Sequence, residues 1–136
     1  MEYKKLFTKN GDELQGPLLL TPELFHDERG FFFESWNKKI WDNILKTNNQ
    51  NSNIFVQDNH SKSSKGTLRG LHYQKKPSAQ GKLVRCISGE IFDVAIDLRK
   101  NSKTFCKYIS VRLNSKNKKQ LWIPEGFAHG FLTLSD

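Results

Sequence analysis

The chain has 136 residues, with 22 Lys+Arg against 14 Asp+Glu, a formal net charge of +8 and 36% hydrophobic residues. Its mean hydropathy is −0.66. That length fits one domain, residues 1–136, able to bury a core of its own. No apolar run approaches the roughly 20 residues that cross a bilayer. The amino-terminal MEYKKLFTKN lacks the apolar stretch of a secretion signal. The expectation is a cytoplasmic protein with no membrane partner. The excess of cations predicts an anionic partner. With no arginine-rich run and no zinc-finger or helix-turn-helix pattern, a phosphorylated small molecule is favoured and no nucleic acid is expected. Cys86 and Cys106 have no metal-ligand spacing and read as reduced, packed thiols.

Residues 1–16 are polar and weakly patterned. The leucines at 18–20 read as a short strand that stops at Pro22. Residues 26–30 form a turn cluster, and 31–34 a strand, because aromatic side chains suit a pleated surface. The one helical pattern lies at 37–45, where Ile40, Trp41, Ile44 and Leu45 recur at helical spacing behind Asn37, a suitable cap. An Asn/Gln-rich loop follows at 47–53.

Beyond it the pattern is nearly all strand. Strands are predicted at 54–59, within 66–74, at 82–87 and 90–98, and at 105–113, 121–123 and 131–134. Ser88-Gly89 is expected to join two of them as a tight hairpin. Loops fall at 61–65, 75–79 and 114–119, and a turn at 124–130. In 90–98, Phe92, Val94, Ile96 and Leu98 share one face and Asp93 and Asp97 the other; alternation leaves open which one turns inward. Many short strands at regular spacing predict an all-β fold, a double-sheet jelly roll or barrel with one short helix.

The stretch 66–74, GTLRGLHYQ, is the most informative. Strict alternation puts Leu68, Gly70, His72 and Gln74 on one face and Arg69, Leu71 and Tyr73 on the other. A histidine turned into a barrel is satisfied structurally, binds a metal or moves protons. Pro124-x-Gly126-x-x-His129 resembles the second signature of the cupin barrels. Metal-binding cupins carry a His-x-His pair in their first signature; here the positions are His72 and Gln74. A ligand is lost, and no metal is expected.

Five segments in one order narrow the match: DERGFFFE at 27–34, VQDNHS at 56–61, LRGLHYQ at 68–74, QGKLVR at 80–85 and WIPEGFAHGF at 122–131. Together they resemble the dTDP-4-dehydrorhamnose 3,5-epimerases across 22–136. The resemblance implies a cupin-like barrel, paired as a homodimer through the aromatic strand at 31–33. It implies a nucleotide-diphosphate 4-keto-6-deoxy sugar as substrate and no cofactor. Hydrogens flanking a ketone are removed to give an enolate, which is reprotonated from the other face. That requires a base, a cation or donor at the oxyanion, and an opposing acid.

By the same resemblance His72 matches the base and Lys82 the lysine at the ketone oxygen. Arg69 matches an arginine that holds the sugar nucleotide, and His129 a substrate-contacting histidine. Arg29 and Glu34 match ligand contacts from the N-terminal segment, and Gln57, Asp58 and Asn59 a run lining the nucleotide site. His26 and His60 gain no role. The family's opposing tyrosine, and the aspartate that orients its base, lie further along than Asp136, so the chain is expected to be C-terminally incomplete relative to the family. A nucleotide-sugar-binding cupin with impaired turnover, a 3-epimerase and a 3,4-ketoisomerase stay open as alternatives.

Overall fold

Two four-stranded antiparallel sheets and one helix account for the architecture. In the computed structural model, which describes residues 1–136, the elements are β1 (Glu2–Phe7), β2 (Glu13–Thr21), β3 (Phe25–Asp27), β4 (Gly30–Phe32), α1 (Lys38–Thr47), β5 (Leu68–His72), β6 (Lys82–Arg85), β7 (Glu90–Asp97), β8 (Tyr108–Asn114), β9 (Gln120–Ile123) and β10 (Phe127–Thr133). The first sheet runs β1-β2-β9-β6 and the second β5-β10-β7-β8, while β3 and β4 form a separate hairpin. Leu14, Leu121 and Ile123 of the first sheet pack with Ala95, Ile109, Leu113 and Phe127 of the second. This is the expected cupin-like, all-β double-sheet fold.

The first sheet is covered on both sides. Its outer face presents Leu18, Leu20 and Trp122 to Trp41, Ile44 and Leu45 of α1. β2 therefore serves two cores, with Leu14 facing the second sheet and Leu18 and Leu20 facing the helix. The change of face falls where the β1–β2 register shifts and where Gly16 adopts φ +122. A Cβ there would lie 2.9 Å from Pro124 Cγ, so the bulge needs glycine. The helix starts as expected: the Asn37 side chain accepts from Lys39 N at 3.0 Å and Ile40 N at 3.2 Å. The indoles beneath it are tied down as well, with Trp41 Nε1 donating to Asn53 Oδ1 and Trp122 Nε1 to Gln50 Oε1.

Several expectations are corrected. Residues 1–16 are not loosely structured; they form β1 and the start of β2. β1 is an edge strand exposed along nearly all its length, so no buried face imprints a pattern on it. Residues 54–59 form no strand, and Ile54 and Val56 stand 80% and 90% exposed. Strand-forming residues there pair with no neighbouring strand. β6 and β7 are not a hairpin: β6 pairs with β9, and β7 with β8 and β10. Ser88-Gly89 instead carries the chain from one sheet to the other. The last strand begins at Phe127, so His129 lies inside a strand and not in the expected turn. Cys106 is exposed at φ +64 and not packed. No helix is long and apolar enough to cross a membrane.

Candidate active site

The acidic face of β7 is the inner one. Asp93, Ala95 and Asp97 are buried and alternate with the more open Phe92, Val94 and Ile96. The neighbours decide this, since Ala95 is opposite Ile109, and Ile91 opposite Leu113, both core residues of β8. The two inward carboxylates differ in company. Asp97, at the strand end, accepts from the Arg99 guanidinium and backbone, from Ser102 Oγ and from Thr104 Oγ1. Burial pushes its pKa up, but these bonds together outweigh it and hold the carboxyl at about 2.

Asp93 sits mid-strand with one side-chain partner. Its Oδ1 lies 2.5 Å from His129 Nε2, while Oδ2, like the hydroxyl of Thr133, is buried without a partner. Burial raises the Asp93 pKa, and the contact with His129 opposes that rise. The register explains the meeting: on β10, His129 is opposite Ala95 and Phe131 opposite Asp93, so Asp93 and His129 are diagonal neighbours on the inner face. His129 is 11% exposed at its side chain and Asp93 is fully buried.

β5 completes this face. His72 is opposite His129, and Arg69 is opposite Phe131. Three steps along β5 thus span two along β10, and the extra residue at Gly70-Leu71 puts Arg69 on the same face as His72. Strict alternation, which separated them, is corrected by the bulge. Gly70, at φ +103, lets the strand close up, since a Cβ there would stand 2.6 Å from the His129 carbonyl oxygen. The strand is an exposed edge, so His72 and Arg69 are open to solvent. Arg69 donates to Ser63 Oγ at 2.8 Å and to the Lys62 carbonyl at 3.3 Å. Lys82 comes from the other sheet; it is half-buried and opposite the core residue Ile123, which places it on the face turned toward β7 and β10.

The remaining candidates do not join this cluster. Arg29 is at the tip of the β3–β4 hairpin, bonded to Asp27 at 2.6 Å; that guanidinium is the main reason the Asp27 pKa is lowered. Glu34 is exposed and lines a cavity of about 310 Å³ with Phe25, Phe32, Trp36, Trp41 and Gln120. This cavity lies beside α1 on the outer side of the first sheet, and neither His72 nor His129 lines it. Gln57, Asp58 and Asn59 are exposed in a segment without regular secondary structure, with Gln57 Nε2 donating to Asn59 Oδ1 at 3.0 Å. No three His, Cys, Asp or Glu side chains are grouped to hold a metal. Asp93 is the residue that sequence reasoning left unassigned. The available signal was an acid in the middle of an eight-residue strand whose other charged residues, Glu90 and Asp97, stand at its ends.

Chemically, the inner face offers an accessible imidazole, a second imidazole backed by a buried carboxylate, and two cations from different sheets. The family model described as dTDP-4-dehydrorhamnose 3,5-epimerase matches residues 12–136. A protein of that name from Shigella flexneri is 59% identical over 91% of this chain and 66% of its own length. One from Escherichia coli (strain K12) is 55% identical over 91% of this chain and 65% of its own. The dTDP-6-deoxy-D-glucose-3,5-epimerase from Legionella pneumophila Philadelphia 1, solved in complex with dTDP-4-keto-L-rhamnose, superposes with a TM-score of 0.86 at 45% identity, over 98% of this chain and 66% of that one. The Mycobacterium tuberculosis epimerase superposes with a TM-score of 0.89 at 37% identity, over 100% of this chain and 63% of that one. The chain thus spans 63–66% of the length of the first curated relatives it matches.

Proposed function

The chain belongs to the dTDP-4-dehydrorhamnose 3,5-epimerase family, and from that premise we propose that it binds a dTDP-4-keto-6-deoxy-hexose in the barrel and enolises it beside the C4 ketone. His72 takes the proton from carbon. The Lys82 ammonium, facing it from the other sheet, stabilises the developing enolate oxygen. Arg69 holds the diphosphate, for which a guanidinium fork is suited; its present partners, Ser63 and the Lys62 carbonyl, are weaker acceptors that a diphosphate displaces. His129 contacts the sugar. The observation that carries this reading is the convergence of His72, Arg69 and His129 on one inner face, with Lys82 opposite. No cofactor has a step to perform.

Inversion also requires an acid facing the base. Tyr108 is opposite Ile96, on the outer side of its sheet, and Tyr3 is on the edge strand β1. Neither is set to reprotonate the enolate, and Tyr73 follows β5 beyond its last paired residue. The 136 residues thus offer a base and an oxyanion partner, and none of these three tyrosines is the opposing acid. Arg29, Glu34 and Gln57–Asn59 contact the nucleotide in an assembled homodimer, whose contact uses the hairpin aromatics; Phe25, Phe31 and Phe32 are 56%, 50% and 71% exposed. The protein works in the cytoplasm, where nucleotide sugars are made.

The test is NMR of dTDP-4-keto-6-deoxyglucose in D₂O, with this chain and with one extended past Asp136. Slow exchange of a hydrogen beside the ketone is expected from the first, and inversion at least about a hundredfold faster from the second. Exchange that survives His72→Ala shows that another group is the base. The number of exchanged positions separates a 3-epimerase from a 3,5-epimerase.

A further inference from the structure

Asp93 is fully buried, has one side-chain partner, and lies beside a histidine on the same face as the proposed base. We propose that Asp93 is a positioning residue: its carboxylate accepts from His129 Nε2–H and fixes a neutral imidazole, so that His129 presents Nδ1 as a hydrogen-bond acceptor to a hydroxyl of the sugar. This deepens the nucleotide-sugar reading and rests on it for the identity of the hydroxyl, but the tautomer is a property of the protein alone.

Three arrangements are possible for such a pair: carboxylate with a neutral imidazole, carboxylate with an imidazolium, and carboxylic acid with the opposite tautomer. The neighbours select the first. Asp93 is the carboxylate bonded to His129; Asp97, at the far end of β7, is taken by Arg99, Ser102 and Thr104. An imidazolium at His129, directly across from His72, would oppose the positive charge that His72 gains when it removes a proton from carbon. The protonated acid would give up the charge-assisted bond from His129. Its O–H would bond to Nε2, leave Nδ1–H as the donor, and keep a carboxyl oxygen buried without a partner. In the carboxylate form that oxygen is an acceptor, and Thr133, the diagonal neighbour on its other side along β10, carries an equally unpartnered hydroxyl. Burial raises the Asp93 pKa and the contact with His129 opposes the rise, so the carboxylate depends on this donor.

The consequence is a division of labour. His72, exposed on an edge strand, is free to turn. His129, held from behind, reads the sugar and not the diphosphate, because a neutral acceptor has little to offer a phosphate oxygen. The experiment uses the whole 136-residue chain with ¹⁵N-labelled histidine, and long-range proton–nitrogen correlation at pH 7. His129 should show a pyrrole-type Nε2 and a pyridine-type Nδ1. Asp93→Ala should abolish that fixed tautomer, weaken dTDP-glucose about tenfold and change dTDP affinity less than threefold, whereas a merely structural role weakens both alike. An imidazolium or the opposite tautomer in the wild type overturns the proposal, even if Asp93→Ala does not fold. Equal loss of both ligands in a folded Asp93→Ala also overturns it. If the wild type shows the assigned tautomer and binds neither ligand, the proposal's sugar contact and the nucleotide-sugar reading both fail, and the fixed tautomer stands as a fact about the protein.

Discussion

Replacing Asp97 by asparagine tests whether the buried carboxylate at the end of β7 is held as a charge. It is bonded by Arg99, Ser102 and Thr104 and carries a pKa of about 2 against an ordinary 3.8. At 1.36 kcal/mol per tenfold, that difference is worth at most about 2.5 kcal/mol of folding stability at neutral pH. Arg99 is 38% exposed, so water screens its share, and about 1.5 kcal/mol is the working figure. The folded value lies below the unfolded one. The stabilisation is therefore complete above about pH 5 and is lost as pH falls through 4 toward 2. Urea unfolding of wild type and Asp97→Asn should be run from pH 7 to pH 2. The wild type should lead at pH 7 by about 2–3 kcal/mol, since the weakened bonds of the loop add to the charge effect. The lead should shrink by about 1.5 kcal/mol by pH 2. A gap that stays constant within about 0.5 kcal/mol across that range would refute the charge-based account, leaving Asp97 as a neutral hydrogen-bonding residue.

Three further outcomes are expected. Gly70→Ala puts a methyl 2.6 Å from the His129 carbonyl oxygen, at φ +103; it should cost on the order of 2–3 kcal/mol in urea unfolding and shift the His129 resonances, and an unperturbed spectrum contradicts the described bulge. Asn37→Ala removes the acceptor for Lys39 N and Ile40 N and should cost about 1 kcal/mol, read by the same assay. Elemental analysis should find no stoichiometric transition metal; one zinc, iron or nickel per chain, lost in His72→Ala, would overturn the metal-free chemistry proposed for the site.

Much of this was legible because it is local. The helix behind Asn37 announces itself through spacing and cap alone, and the strand pattern of the second half gives the all-β fold, because side-chain period follows from backbone geometry. The motifs around His72, Lys82 and His129 identify the family without any coordinate. What the sequence did not determine is pairing. Strand-like patterns lie at 90–98 and at 54–59, yet only the first pairs, with β8 and β10, because pairing is settled by tertiary packing and not by local pattern. Ser88-Gly89 has the composition of a hairpin turn, yet it links two sheets, because a turn's residues set its backbone and not the partners of the strands it leaves. Arg69 and His72 belong on opposite faces by alternation and lie on one face in the fold, because a single extra residue against β10 reverses the parity. Asp93 reads equally well as inward or outward until Ile109 and Leu113 fix the inner face of β7. Burial is a property of what packs on top, and that is decided by residues distant in the chain.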